Sequence, residues 1–154
     1  MKILDLSAGN RAVWFDKNYR DTTFVDIRPE VNPTVVADSR ALPPEIGIDY
    51  ALVVFDPPHV NFSAGAEMSK EYGHHTTQQI RDLILQTGAE AHRVTRPDAL
   101  MALKWNDHDQ KLAKILALLP HWEPLFGHKV AMRTLHASAT TWVLLRRRDA
   151  PQAP

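Results

Sequence analysis

The sequence predicts an α/β domain whose sheet is mostly parallel, and two observations support this fold class. Short runs of apolar, β-branched and aromatic residues recur along the chain, as expected of buried strands. A long segment after residue 76 places apolar residues at helical spacing. Alternation of strands and helices favours a parallel sheet, in which ligands bind outside the carboxyl ends of the strands.

Four strands are predicted in the first third of the chain. The first covers residues 2–6 and runs into a turn of small residues, Ser7-Ala8-Gly9. The next three cover residues 22–26, 34–38 and 50–56, and each of them ends in an aspartate: Asp26, Asp38 and Asp56. Because the carboxyl ends of parallel strands meet at one edge of a sheet, these acids indicate a site at that edge.

Two helices and a fifth strand are predicted next. The first helix covers residues 77–95 and is stopped by Pro97, and the strand covers residues 99–105. Asn106 is expected to cap the second helix, which ends before Pro120. The buried stripes of the two helices are Ile80, Leu83, Ile84, Thr87, Ala91 and Val94, and Leu112, Ile115, Leu116 and Leu119.

The end of the chain predicts a closing hairpin and a tail. Residues 122–130 and 140–145 have the composition of two strands, and residues 149–154 are expected to be disordered. A chain of 154 residues has room for one domain with a sizeable core, which we place at residues 1–148.

Composition excludes several classes of function. Lys plus Arg and Asp plus Glu both number 18, so no overall basic field points to nucleic acid or to an anionic membrane. The absence of cysteine excludes disulfides, thiolate metal sites and a cysteine nucleophile. The chain shows no signal-peptide pattern and no apolar run long enough to cross a bilayer, so we expect a cytoplasmic protein without membrane contact.

The first three strand ends predict a nucleotide-like cofactor site. A small-residue turn after the first strand lets backbone N–H groups approach a ligand, and an acid ending the second strand binds ribose hydroxyls. Asp5, the Ser7-Ala8-Gly9 turn, and Asp26 with the adjacent Ile27 occupy these places. Asp38 and Ser39 are positioned to accept a hydrogen bond from an adenine amino group. These residues alone leave open an ordinary structural turn or a nicotinamide enzyme.

The fourth strand runs into Asp56-Pro57-Pro58-His59, which we predict to be the reaction centre. Two prolines fix the backbone torsions, so the Asp56 side chain and the Pro57 carbonyl can be aimed at one point, where an NH₂ group donates both hydrogens. This segment resembles the catalytic loop of class I methyltransferases that act on exocyclic amino groups, in which an aromatic residue at the fourth position stacks on the target ring. His59 would take that role here.

The resemblance implies S-adenosylmethionine as the cofactor and a Rossmann-like three-layer sandwich. Its sheet would be seven-stranded and mostly parallel with a C-terminal antiparallel hairpin. The resemblance extends to small methyltransferases of phages and mobile elements through the runs 11–18, 104–106 and 124–128. Arg11 stands where a further glycine is usual, so we expect either that the segment after the first strand packs differently or that Arg11 reaches toward the cofactor carboxylate. The usual helix ahead of the first strand and a target-recognition domain are not expected.

Four further residues are predicted to bind substrate: Lys104, Trp105, Asn106 and His128. Lys104 closes the fifth strand at the substrate edge and suits a phosphate or the target ring. Trp105 as a packing residue and Asn106 as a helix cap remain equal alternatives. Residues 61–75 directly follow the predicted reaction centre and could form a mobile lid over the substrate. The histidines at 59, 74 and 75 lack the spacing of a zinc site, so no metal is expected.

The predicted activity is methylation of an exocyclic amino group, with N6 of adenine in DNA or RNA as the leading target. A chain of this size would need a second copy or a partner subunit to flip a base out of a duplex. Two alternatives stay open. One is a methyltransferase of a small amine or free nucleotide, and the other is a non-catalytic subunit that binds the cofactor.

Overall fold

The computed structural model describes residues 1–59, 75–129 and 139–149, and these form one seven-stranded sheet. The predicted lid, apart from His75, and all of the predicted tail beyond Asp149 lie outside the described residues. The strands stand in the order β3-β2-β1-β4-β5-β7-β6. Their bounds are β1 Ile3–Leu6, β2 Thr22–Asp26, β3 Val35–Val36, β4 Tyr50–Phe55, β5 Thr95–Asn106, β6 Trp122–Lys129 and β7 Thr140–Arg147.

The first five strands run parallel, and the last two form the predicted antiparallel pair. From β1 the chain proceeds outward through β2 to β3, and it then returns to β4 on the other side of β1. The boundary between β1 and β4 is therefore the topological switch point of an open α/β sheet. The predicted fold class is therefore confirmed. The switch point also places the ends of β1, β2 and β4 next to one another.

One long helix, α1, Thr77–Val94, covers one face of the sheet. It begins with a capping box, in which the Thr76 hydroxyl accepts from the Gln79 N–H and the Gln79 side chain accepts from the Thr76 N–H. Its predicted apolar stripe is confirmed, since Ile80 and Ile84 pack in one buried cluster with alternate residues of the central strands. Those strand residues include Leu4, Leu6, Val53, Phe55, Met101 and Leu103.

The second helix is shorter and starts later than predicted. It covers Leu112–Leu116 and is α2. Asn106 does not cap it, because the Asn106 side chain accepts from the His108 N–H at 2.9 Å and so closes a turn. Asp107 bonds to the first N–H of the helix instead, with 2.8 Å between its Oδ1 and the nitrogen of Leu112. Asp107 thus supplies the side-chain oxygen that was expected of Asn106, although the N-cap position of the helix is Lys111, whose own side chain does not cap it.

The connections after β1, β2 and β3 contain turns and two short 3₁₀ segments, Pro29–Val31 and Pro44–Ile46. On the face opposite α1, the turn after β1 supplies the packing. Trp14 lies edge-on against Phe24 at 5.3 Å between ring centroids, and the Arg11 guanidinium lies 4.1 Å from the centre of the same ring. A turn thus performs the packing that a helix performs on the other face.

Gly88 allows α1 to approach the segment that follows α2, and this contact predicts the effect of a substitution. A Cβ atom at Gly88 would lie 2.3 Å from a methyl carbon of the buried Leu119. We expect Gly88→Ala to lower the free energy of unfolding by about 1–3 kcal/mol, because overpacking outweighs the roughly 1 kcal/mol that a helix gains from replacing glycine. Urea denaturation followed by circular dichroism measures this.

Leu119→Ala provides the matched background for that test, because it vacates the space that the added methyl group would enter. In this background we expect Gly88→Ala to cost nothing or to stabilise. An equal loss of stability in both backgrounds would show that the clash with Leu119 is not the cause.

Candidate functional site

The carboxyl edge of the sheet brings three predicted acids together. Asp5 of β1 is in register with Phe24 of β2 and with Val54 of β4. Asp26 ends β2, and Asp56 follows directly after β4. Three carboxyl groups therefore lie on neighbouring strands at one edge, and each is stabilised in a different way.

Asp5 is buried away from water, and its hydrogen-bond partner is the neutral indole of Trp14. Its exposed fraction is 1%, and its Oδ2 accepts a hydrogen bond of 2.6 Å from the indole N–H of Trp14. The pKa of Asp5 is raised to about 7, mainly by burial; the charges of Asp56 and Asp26 act in the same direction, whereas the Trp14 hydrogen bond and the charge of Arg11 act to lower it. Asp5 is thus a carboxyl group that changes charge close to neutral pH.

The Ser7-Ala8-Gly9 turn is strained but does not present its N–H groups as predicted. Ser7 and Gly9 have φ of 97° and 48°, in the left-handed region. The N–H groups of Ser7 and Ala8 both donate to the Val25 carbonyl, and the Gly9 N–H donates to Asp26 at 2.8 Å. The Ser7 hydroxyl is buried and has no partner among the described residues. This hydroxyl, rather than the backbone, is the unsatisfied polar group of the turn.

Asp26 lies where predicted but is already paired. Its carboxylate accepts from the Gly9 N–H and from the Arg28 backbone, and it forms an ion pair of 3.1 Å with the Arg28 guanidinium. Burial acts to raise the pKa of Asp26, but the hydrogen bonds from Arg28 and Gly9 outweigh it and the pKa lies below its usual value. Ile27, predicted at the cofactor edge, is 64% exposed.

The Arg11 guanidinium is bonded within the chain, as expected if this turn packs differently from the usual one, and its contact with a cofactor carboxylate stays a prediction. The guanidinium donates to the backbone carbonyls of Lys17 and Asn32, at 2.6 Å each, and to the Asn18 side chain. These bonds close the turn after β1 against the segment after β2. Arg11 is therefore a structural residue of this turn, with φ of 55° where the family usually has glycine.

Asp38 and Ser39 lie beyond β3, and both side chains have partners within the chain. Asp38 forms a double hydrogen bond with the Arg40 guanidinium, which holds the pKa of that carboxyl below its usual value. The Ser39 hydroxyl lies 2.9 Å from the Thr87 hydroxyl of α1. Their predicted contact with adenine stays a prediction.

Asp56 is bound by Lys104 across the sheet. The Lys104 ammonium lies 2.7 Å from Asp56 Oδ2, and the two side chains are 28% and 24% exposed. Lys104 is near the end of β5, the strand beside β4, so adjacent strand ends bring the pair together. Of the substrate residues predicted from sequence, Lys104 is the one that contacts the predicted catalytic acid among the described residues.

Pro57, Pro58 and His59 follow Asp56 without regular structure. The His59 ring folds back so that Nδ1 lies 3.1 Å from the Pro57 carbonyl oxygen, the acceptor that was predicted for the target amine. The same ring meets Trp105 edge-on at 6.0 Å between centroids. His59 is partly exposed, and its predicted stacking on a target ring stays a prediction.

The remaining predicted substrate residues separate in position. Trp105 is 0% exposed and donates its indole N–H to the Gln110 carbonyl at 2.8 Å, so it lies beneath the site as a packing residue. Asn106 donates to the Thr140 hydroxyl at 2.9 Å. His128 is exposed on β6, opposite Trp142, which in turn is opposite Lys104.

Trp14 and Arg28 were missed from sequence, although each holds one of the acids. Trp14 lies in a polar turn, where an aromatic residue is unusual and signals burial of part of that turn. Arg28 follows its aspartate by two residues, a spacing that the Asp38 and Arg40 pair repeats. The repeated Asp-x-Arg pattern was the available signal.

The arginine run near the end of the chain lies at the opposite edge of the sheet. Arg146 is in register with Leu100, at the start of the paired part of β5, and forms an ion pair of 2.7 Å with Glu123. Arg147 donates to the Thr95 backbone carbonyl. These cations are therefore bonded within the chain and lie far from Asp56.

Comparison with solved structures identifies the fold. The N-methyltransferase NodS from Bradyrhizobium japonicum WM9, in complex with S-adenosyl-L-homocysteine, aligns with a TM-score of 0.64 and 10% identity over 96% of this chain and 78% of its own. A TehB-like SAM-dependent methyltransferase from Corynebacterium glutamicum aligns with a TM-score of 0.63 and 15% identity, over 96% and 80%. An rRNA methylase from Streptococcus thermophilus aligns with a TM-score of 0.60 and 7% identity, over 94% of this chain and 86% of its own.

The chain thus has the fold of S-adenosylmethionine-dependent methyltransferases. No protein-family model and no curated protein matches its sequence. In the part of the chain that the structure describes, no helix is long and apolar enough to cross a membrane. Within the same residues, no three His, Cys, Asp or Glu side chains are grouped to hold a metal ion.

The raised pKa of Asp5 predicts an unusual dependence of stability on pH. The folded chain keeps a proton on Asp5 up to about pH 7, whereas the unfolded chain loses it near 3.8, so stability falls as pH rises through this window. We expect Asp5→Asn to remove this dependence, which amounts to at most about 4 kcal/mol. The measurement is urea unfolding of both proteins at four pH values between 4 and 8.

The difference between the two proteins is the relevant quantity. The lowered pKa values of Asp26, Asp38 and Glu90 act at acidic pH, and that of His92 makes stability rise toward neutrality. These groups are common to both proteins and cancel. Parallel curves for the two proteins between pH 4 and 7 would show that Asp5 ionises normally.

Proposed function

We propose that the chain is an S-adenosylmethionine-dependent methyltransferase that acts on an exocyclic amino group, with N6 of adenine in DNA or RNA as the leading target. The observation that carries the proposal is the position of Asp56. It follows β4 at the switch point of a methyltransferase fold, within two proline bonds of His59 and one strand from Asp5.

The residues around the first turn fit an S-adenosyl cofactor. The buried Ser7 hydroxyl, which has no partner in the described part of the chain, and the protonatable Asp5 are suited to the polar groups of its methionine part. Asp26, which is paired with Arg28, is suited to accept hydrogen bonds from ribose hydroxyls. When bound, S-adenosylmethionine supplies an electrophilic methyl group on a positively charged sulfur.

Among the residues of the chain, Asp56 has the main part in the proposed methyl transfer. Its carboxylate accepts a hydrogen bond from the target amine and so directs the nitrogen lone pair at the methyl group. Its negative charge also stabilises the positive charge that develops on that nitrogen. The prolines hold the carboxylate in place, and His59 provides a planar ring beside it for the target base.

A second candidate is a methyltransferase of a free nucleotide or small amine. The C-terminal arginines favour it, since they are bonded to Glu123 and to a backbone carbonyl at the edge away from Asp56. A long nucleic acid at the reaction centre would therefore gain little from them. Binding that weakens steeply with salt would favour the polynucleotide, because it releases counterions on binding.

Label transfer tests the role of Asp56. The protein is incubated with methyl-labelled S-adenosylmethionine and separate pools of DNA, RNA and small metabolites. We expect Asp56→Ala to reduce transfer by roughly 100-fold or more, because the developing charge loses its partner. The matched control is Asp21→Ala, which also removes an aspartate paired with an ammonium group, at the chain terminus, and should retain full activity. Transfer that survives Asp56→Ala would refute the reaction centre.

Calorimetry with S-adenosylhomocysteine tests the cofactor site separately. We expect Asp26→Asn to weaken binding about tenfold, the value of one hydrogen bond to a charged group. His59→Ala should bind almost normally, because His59 lies on the substrate side, against Trp105. Equal losses in the two variants would mean that the cofactor lies elsewhere.

A further inference from the structure

The contact between Lys104 and Asp56 conflicts with the chemistry proposed for Asp56. The ammonium occupies Oδ2 at 2.7 Å, where an amine donor needs an acceptor. It also places a positive charge beside a nitrogen that becomes positive during methyl transfer, which opposes the reaction. Lys104 must therefore leave Asp56 when the acceptor binds.

A displaced Lys104 needs another anion. Among the described residues, Asp56 is the one acid that pairs with it. The side chain is 28% exposed, so an unpaired ammonium there is costly. The new partner must therefore come from the acceptor or from the cofactor.

The sheet register shows where Lys104 can turn. Lys104 is directly opposite Trp142 of β7, and Trp142 is directly opposite His128 of β6. Residues that pair directly across strands project from the same face, so the three side chains share one face of the sheet. Lys104 and His128 stand two strand spacings apart, about 10 Å, with the Trp142 side chain between them.

We propose that Lys104 and His128 form a phosphate subsite over Trp142, and that Lys104 moves to it from Asp56 when a phosphate-bearing acceptor binds. The subsite rests on the proposed function. Lys104 of the subsite contacts Asp56, so one nucleotide can place its amine at Asp56 and its phosphate at the subsite. Lys104 is then a specificity-determining residue that favours phosphorylated amines over neutral ones. The phosphate belongs either to a mononucleotide or to a polynucleotide.

Binding measured in the presence of S-adenosylhomocysteine tests the subsite. The acceptors are adenosine, adenosine monophosphate and a short single-stranded oligonucleotide that contains adenine. We expect wild type to bind the monophosphate at least tenfold more tightly than adenosine, and Lys104→Met to bind both equally. The control is Lys2→Met, which removes a lysine bonded to the Ile48 carbonyl at the opposite edge and should keep the preference.

Two further measurements apply if Lys104→Met does not fold. His128→Leu, on an exposed edge-strand position, should reduce the preference for the monophosphate several-fold. In wild type, inorganic phosphate should compete with the monophosphate but not with adenosine. Both results are expected if the phosphate lies between the two side chains.

The outcomes separate the two proposals. Equal binding of adenosine and its monophosphate by wild type would overturn the subsite and leave the proposed function intact. Loss of S-adenosylhomocysteine binding in Lys104→Met would overturn the subsite, because it would show that Lys104 contacts the cofactor instead. Binding of no adenine compound would overturn the proposed function as well. An oligonucleotide bound more tightly than the monophosphate, with steep salt dependence, supports the subsite with a polynucleotide as the source.

Discussion

The structure depends on the pairing of β1 with β4, because this pairing sets Asp5 beside the strand that ends at Asp56. Carboxyl groups crowded at one edge repel one another, and each requires its own means of stabilisation. Asp5 is buried under Trp14 with a raised pKa, Asp26 is paired with Arg28, and Asp56 with Lys104. The result is a row of acids in three different electrostatic environments, as the proposed binding of a cofactor and an acceptor at one edge would require.

The same edge explains why a turn with so little regular structure is well packed. Trp14 bonds to Asp5 and lies against Phe24, while Arg11 joins this turn to the segment after β2. A helix at this position would cover the sheet with an apolar stripe, whereas the turn covers it with one indole and one guanidinium. Packing and electrostatics are therefore coupled here, since removal of Trp14 would expose both the Phe24 ring and the buried carboxyl of Asp5.

Local patterns in the sequence predicted the strands, the long helix and the acids at the strand ends, because the apolar runs of the central strands are buried along nearly their whole length, and an Asp ends β2 and directly follows β4. They did not predict the partners. Lys104 and Asp56 are 48 residues apart, and only the register of β4 and β5 brings them together. The roles of Arg11 and of the caps depended on geometry of the same kind. Arg11 turns to carbonyls that no local pattern identifies, and Asp107 caps the helix where the neighbouring Asn106 closes a turn.

The two edges of the sheet carry cations of different character, and this difference constrains the substrate. At the far edge, Arg146 and Arg147 are bonded to Glu123 and to the Thr95 carbonyl, so binding a polyanion there would require breaking these bonds. At the carboxyl edge, Lys104 is held by an acid that the reaction itself must recruit, and His128 is exposed two strands away. A net charge of zero is therefore compatible with recognition of an anionic acceptor, because in the proposed reaction Lys104 would be released by the same event that places the amine at Asp56.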